Sequence, residues 1–267
     1  MKTFLTLVSF LILSATACNS ASLAADSQSA DVAAIFNAEG LSGTLVVASA
    51  DGNIIHVHNP DRSVTQYSPA STFKIPNTLI ALDTAVVASI ESEFKWDGME
   101  KGRTAWNRDQ TLESAFKVSC VWCYQEIARS VGASHYTSEL AAINYGNQEI
   151  GQYVDQFWLN GDLRISAVEQ IDFLQRLYAY SLPYRREHID IVKTVMLDEQ
   201  AADYSLYSKS GWTGPGLHVG WYVGFVEKGD EAWLFAMNFS MDNAEQAGLR
   251  KELTMRALRA LGILPVD

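Results

Sequence analysis

The stretch Ser68-Pro69-Ala70-Ser71-Thr72-Phe73-Lys74-Ile75 places a hydroxyl and an amine three residues apart, directly ahead of an apolar run. That run, Ile75 to Val87, has the spacing of a buried helix. With a helix starting near Ser71, the i, i+3 spacing puts Ser71 and Lys74 on one face, about 5–6 Å apart at Cβ. Pro76 supports that start, because its missing N–H is tolerated only near a first turn. Ser71 then stands at a helix N-terminus, where free backbone N–H groups and the positive end of the dipole favour a developing negative charge. A serine needs a nearby base to act as a nucleophile. A lysine serves as that base only when neutral, a form that an apolar setting favours; Phe73 and Ile75 flank Lys74. The plain alternative is a capping serine beside a solvated lysine, and the tetrad alone does not decide between them.

Outward from this stretch, residues 1 to about 25 read as a secretory signal. Lys2 is the charged start, Phe4 to Leu13 the apolar segment, and small residues follow, with cleavage expected near Ala24 or Ala25. The apolar segment is shorter than the roughly 20 residues that a membrane span needs, and no later stretch reaches that length. Cys18 follows Ala15-Thr16-Ala17, a loose lipoprotein-like site that lacks the usual leucine, so lipid anchoring is the lesser reading. The chain has 267 residues, 48% of them hydrophobic, which supports a substantial core. Its formal net charge of −11 excludes the electrostatic footprint of nucleic-acid binding.

Strands come first. Gly43 to Ser49 and Ile54 to His58 flank Ala50-Asp51-Gly52-Asn53, a strong hairpin signal. His56 and His58 alternate on the second strand without a third ligand in sequence, so they read as ordinary strand residues. Helical patterns follow. Thr111 to Val131 reads as one helix ended by Gly132, Ser166-Ala167-Val168-Glu169 as a capping box opening another, and Arg185 to Leu197 as a third. Strands return at Tyr204 to Ser208, leading into Lys209-Ser210-Gly211, and at Leu217 to Glu227 and Glu231 to Ser240; Ala244 to Leu261 is a closing amphipathic helix. This order predicts an α+β fold: an antiparallel sheet flanked by terminal helices, with an inserted helical region. The mixed part covers about 26–90 and 200–267, the helical part about 91–199, and the active site is expected where they meet.

Four more stretches bear on chemistry. In Ser119-Cys120-Val121, read as lying inside a helix, Ser119 is placed to relay a proton and Val121 to keep the lysine dry. Cys120 and Cys123 read as two small buried residues on that helix, with a local disulfide as the alternative. Tyr145-Gly146-Asn147 sits in a turn after a helix. Trp158, in the apolar loop Phe157-Trp158-Leu159-Asn160-Gly161, carries one N–H donor that needs an acceptor if buried. In Lys209-Ser210-Gly211, a lysine, a hydroxyl and a glycine in extended backbone suit a substrate carboxylate, and Gly211 permits close approach.

Ser-x-x-Lys, Ser-x-Val, Tyr-Gly-Asn and Lys-Ser-Gly occur in that order, and here the chain resembles the penicillin-recognising serine enzymes, within them the class D serine β-lactamases. The context that carries the resemblance includes Phe94-Lys95-Trp96-Asp97-Gly98, Gln125-Glu126-Ile127-Ala128, Tyr145-Gly146-Asn147-Gln148, Leu163-Arg164-Ile165-Ser166 and Gly224-Phe225-Val226. The resemblance implies hydrolysis of β-lactams in the periplasm through an acyl-enzyme on Ser71. Lys74 would react with carbon dioxide to give the carbamate that acts as general base. Trp158 would donate to that carbamate, and Ser119 would pass a proton to the lactam nitrogen. Lys209, Ser210 and Arg250 would hold the substrate carboxylate, and Val121, Tyr145, Asn147 and Gly211 would line the site. The oxyanion hole would be the backbone N–H groups of Ser71 and Trp212. The resemblance implies no metal or cofactor beyond carbon dioxide or bicarbonate, and a monomer or homodimer.

The related class A enzymes use a glutamate in Glu-x-x-Leu-Asn. Here Gln156-Phe157-Trp158-Leu159-Asn160 has glutamine at that place, which favours the carbamate route. Lys-Ser-Gly replaces the usual Lys-Thr-Gly and keeps the hydroxyl, and Cys120 fills the variable place in Ser-x-Val. Two alternatives share Ser71: a β-lactam sensor that acylates without turnover, which normally carries membrane spans, and a peptidoglycan carboxypeptidase or transpeptidase with Tyr145 as base.

Overall fold

The structure, a computed structural model, describes residues 30–265. The expected signal, Cys18 and the expected domain start at residue 26 lie outside the described residues.

Eight strands are formed: β1 (Gly43–Ser49), β2 (Ile55–His58), β3 (Glu93–Phe94), β4 (Gln110–Thr111), β5 (Leu197–Gln200), β6 (Ser205–Trp212), β7 (Val219–Lys228) and β8 (Glu231–Ser240). Six build one sheet in the order β2-β1-β8-β7-β6-β5, with every pairing antiparallel; β3 and β4 pair separately. Two tight hairpins set the register. In the first, Gly52 adopts φ 75°, and the Asp51 carboxylate accepts from the Asn53 amide at 3.1 Å. In the second, Lys228 pairs with Glu231 across Gly229 at φ 58°. The expected β1 and β8 bounds match the strands formed.

Strand side chains alternate between faces, and both faces are covered. On β8, Leu234 and Ala236 enter one core while Phe235, Met237 and Phe239 enter the other. The second core is closed by helix α1 (residues 30–38), through Val32 and Phe36, and by α9 (Leu249–Ala260), through Leu253 and Leu258. The first core is closed by the inserted helices. These are α3 (Lys74–Asp83), α4 (Leu112–Lys117), α5 (Val121–Val131), α6 (Ala133–Ala142), α7 (Ala167–Tyr178) and α8 (Arg186–Met196), while the short α2 (Pro60–Ser63) packs against β1 and β2. α7 packs on the sheet, and its capping box is formed, with Glu169 N donating to Ser166 Oγ at 3.2 Å and Ser166 N to Glu169 Oε2 at 2.7 Å. Burial of each large apolar side chain contributes about 1.5–3 kcal/mol. His56 and His58 serve as strand residues, His58 stacking on Phe36 at 4.6 Å between ring centroids.

The structure corrects two expectations, the single helix over Thr111–Val131 and the unbonded cysteines. The Thr111–Val131 pattern is two helices, α4 and α5, broken at residues 118–120, so Ser119 is not in a helix. The break carries no glycine or proline, and the periodic pattern passes through it. Lys209-Ser210-Gly211 stands at the end of β6 as expected, with β7 alongside it to the pair Trp212–Gly220. Cys120 and Cys123 are joined by a disulfide.

Candidate active site

Ser71 lies in a 3-10 turn, Ala70–Phe73, that runs directly into α3. Residues three apart eclipse in that geometry, so Lys74 sits under Ser71 and its Nζ is 3.2 Å from Ser71 Oγ. Ala70, just before the serine, has φ 48°, a left-handed conformation that costs a non-glycine residue about 1–2 kcal/mol. The turn is held from below. Thr72 Oγ1 donates to Pro69 O at 2.7 Å and accepts from Gln170 Nε2 of α7 at 3.0 Å.

Strand β6 closes on this turn at Gly211, where a Cβ would stand 3.0 Å from Pro69 O and 3.3 Å from Ser71 N. A larger residue there would press on the turn by a few tenths of an ångström. The close approach sets the Trp212 backbone, one residue on, beside the Ser71 amide.

Lys74 is fully buried. Its Nζ faces the Tyr124 ring at 4.8 Å, and its neighbour Phe73 is packed among Tyr136, Tyr145, Phe157 and Trp158. Loss of water, and then the positive charge of Lys209, hold its pKa well below the ordinary lysine range. Trp158 is also fully buried, stacked on Phe73 at 5.6 Å, and its indole N–H has no acceptor among the described residues. An orphaned buried donor is uncommon and unfavourable by about 1–3 kcal/mol.

On the other side, Lys209 Nζ hydrogen-bonds Ser119 Oγ and also donates to Ser210 O at 3.2 Å. Burial, and then the nearby Arg250 charge, lower the Lys209 pKa to about 7. Beyond it a cavity of about 220 Å3 is lined by Lys117, Lys209, Ser210, Arg250 and Lys251, and by Asp198, whose charge is met by Lys251 at 3.0 Å. Arg250, at the start of α9, is anchored to Gly211 O at 2.7 Å. Burial lowers its pKa to about 10, so it remains a cation at neutral pH. The arrangement offers a half-buried hydroxyl between two buried amines, with a cationic pocket beside it for an acid group.

Ser71, Lys74, Ser119, Lys209, Ser210, Gly211, Trp212 and Arg250 are thus carried by the turn, the start of α3, the 118–120 break, the end of β6 and the start of α9. Val121 is half-buried in the first turn of α5. Two expected lining residues are placed elsewhere, a correction to the sequence reading. Tyr145 is completely buried between Phe73 and Phe173, and desolvation raises its hydroxyl pKa above the ordinary tyrosine range. Asn147 spends its side chain on the 162–164 loop, donating to Asp162 O and accepting from Arg164 N, each at 2.9 Å. Gly146, at φ 54°, lies so close to Arg164 O that a Cβ would be 2.0 Å from it. The Tyr-Gly-Asn turn is therefore a latch for the Trp158 loop.

Sequence reading assigned no role to Ser68 or to Trp106 Nε1. Ser68 Oγ bonds Trp158 O at 3.0 Å and Leu159 O at 2.9 Å, tying the Trp158 loop to the Ser71 turn. Trp106 Nε1 donates to Val118 O at 2.9 Å, holding the residue before Ser119. Both contacts span long sequence separations and left no local pattern.

Residues 27–258 match the family model for the penicillin binding protein transpeptidase domain. The chain is 38% identical over 268 residues to beta-lactamase OXA-10 of Pseudomonas aeruginosa, covering 99% of each chain. It is 44% identical over 209 residues to beta-lactamase OXA-48 of Klebsiella pneumoniae, covering 78% of this chain and 79% of that one. Among solved structures, the class D beta-lactamase YbXI from Nostoc superposes with a TM-score of 0.85 at 36% identity, over 87% of this chain and 99% of that chain. The chain belongs to the penicillin-binding protein transpeptidase family and, within it, to the class D β-lactamases.

Proposed function

We propose that the protein hydrolyses β-lactam antibiotics through an acyl-enzyme on Ser71, with Lys74 carrying the base as a carbamate formed with carbon dioxide. The observation that carries this is the fully buried Lys74 amine, its pKa held well below the ordinary lysine range by loss of water and its Nζ 3.2 Å from Ser71 Oγ. A neutral amine is the form that reacts with carbon dioxide. The carbamate would supply a carboxylate base at the same position, and the unpartnered Trp158 N–H is the donor that a buried anion there requires.

Ser71 Oγ attacks the lactam carbonyl and gives its proton to the base at Lys74. The carbonyl oxygen is received by the Ser71 and Trp212 amides, each such donor contributing about 2.7–4 kcal/mol. As the C–N bond breaks, Ser119 passes its hydroxyl proton to the leaving nitrogen, and Lys209, bonded to Ser119, replaces it. Lys209, Ser210 and Arg250 hold the substrate carboxylate. Before the second half, the proton that the base took from Ser71 is passed on to Lys209, which restores both groups; the base then takes a proton from water, the hydroxide attacks the ester, and Ser71 Oγ leaves with that proton. A positioned base of this kind contributes about 10²–10⁴-fold.

Tyr145 as a base, the carboxypeptidase reading, is disfavoured by its burial and raised pKa. Among the described residues no helix is long and apolar enough to cross a membrane. We place the mature protein in the periplasm after signal cleavage, tested by cell fractionation and the mass of the mature N-terminus; lipid on Cys18 is the lesser reading.

The decisive test incubates purified protein with a chromogenic cephalosporin, with and without bicarbonate, alongside intact mass. Sustained turnover enhanced by bicarbonate is expected. One stoichiometric burst that leaves a stable adduct on Ser71 would overturn hydrolysis in favour of a sensor.

A further inference from the structure

We infer that the Cys120–Cys123 disulfide is a positioning element for Ser119, acting on acylation and not on deacylation. This rests on the reading of Ser119 as the proton donor. Helix α4 ends in a Schellman motif: Ser119 N donates to Phe116 O at 3.2 Å and Cys120 N to Ala115 O at 2.8 Å. In that motif the residue just past the cap is left-handed, and the usual occupant is glycine. Here it is Ser119, at φ 54°. A serine held in a disfavoured conformation persists there only if both flanks are pinned.

The upstream flank is pinned by Trp106 Nε1 on Val118 O and by the two motif bonds. The downstream flank is Cys120, which is at once the last residue of the motif and the N-cap of α5. Cysteine is outside the set of strong N-caps, Ser, Thr, Asp and Asn. Its sulfur is the acceptor for Cys123 N at 3.3 Å, and the covalent bond to Cys123 does what a weak cap would not. The first turn of α5 is thereby locked to the residue that follows Ser119. The ring is closed between neighbours three apart, so it restrains the unfolded chain little; its effect is local. Both cysteines are fully buried, which makes the bond a standing constraint.

The test measures acylation and deacylation separately by stopped-flow, using a chromogenic cephalosporin. The four proteins are wild type, Cys120→Ala/Cys123→Ala, Ser119→Ala, and the triple variant. Breaking the link is expected to slow acylation about tenfold, leave deacylation within about twofold, and add nothing in the Ser119→Ala background, since contacting groups are non-additive. Unchanged acylation, equal losses in both steps, or a full further loss on top of Ser119→Ala would each overturn the inference. Acylation unaffected by Ser119→Ala alone would instead overturn the proton-donor reading. If the alanine pair does not fold, wild type reduced by a dithiol is assayed with its free thiols counted; the reagent closes to its own disulfide, and each cysteine gains one electron and one proton. Cys120→Ser/Cys123→Ala, which restores a hydrogen-bonding N-cap, is expected to recover most of the acylation rate, and no recovery would overturn the capping argument.

Discussion

Lys74 Nζ lies 3.2 Å from Ser71 Oγ with no exposure to solvent, an amine and a hydroxyl brought together by one 3-10 turn. Lys74→Ala is therefore expected to lower the acylation rate by about 10²–10⁴-fold, read as the rate of adduct formation by intact mass. Acylation at the wild-type rate would remove Lys74 from the mechanism.

Trp158 calls for a substitution that keeps the ring, because truncating a buried tryptophan to alanine costs about 3–5 kcal/mol. Trp158→Phe deletes the orphaned N–H together with three ring atoms, but keeps an aromatic ring against Phe73. The variant should acylate, release product slowly, and need more bicarbonate for half-maximal turnover. An unchanged bicarbonate dependence would mean that the indole donor does not serve the base.

The Lys209 pKa of about 7 gives a pH signature. Binding a substrate carboxylate requires the protonated form, so kcat/KM should fall as pH rises through about 7. The bound carboxylate raises the pKa, so the limb in kcat should lie at higher pH. For stability the sign is opposite. Below about 7 both states hold the proton. From there to the ordinary value of about 10.4, only the unfolded chain does, so this group's contribution rises with pH across that window. A kcat/KM profile flat from pH 6 to about 9 would exclude Lys209 from carboxylate binding.

Ser119→Gly separates stability from function at one position. Glycine relieves the φ 54° strain, worth about 1 kcal/mol, or a rise of roughly 2–4 °C in Tm for a domain of this size. Acylation should fall sharply. A lower Tm would show that the hydroxyl contributes more to the fold than its backbone strain subtracts.

Tyr145→Phe and Asn147→Ala test the reassignment of the Tyr-Gly-Asn turn. Tyr145→Phe should keep kcat and KM within about twofold. Asn147→Ala, which removes the bonds to the 162–164 loop, should lower stability by about 1–3 kcal/mol with little change in KM. A 10²-fold loss of kcat in Tyr145→Phe would return Tyr145 to the role of base.

The antiparallel sheet, its two tight hairpins, the α7 capping box and the Ser71–Lys74 pair were all legible in the sequence. The hairpins, the capping box and the Ser71–Lys74 pair depend on neighbours a few residues apart, where turn chemistry and cap spacing act directly, and the sheet was read from the order of its strands and helices. The break at Ser119 was not. It carries no glycine or proline, and what sustains its left-handed backbone is the α4 end, Trp106 and the Cys120–Cys123 bond. The burial of Tyr145 and the latch at Asn147 depend on the 157–164 loop folding back on a turn far away in sequence. The lowered pKa values of Lys74 and Lys209 likewise require that two amines 135 residues apart share one water-free site. Residue types and their local spacing therefore determined which groups are present and most of the elements that carry them. Only the packing of β6 against the Ser71 turn decided which groups meet, because desolvation and long-range contact are properties of the assembled core.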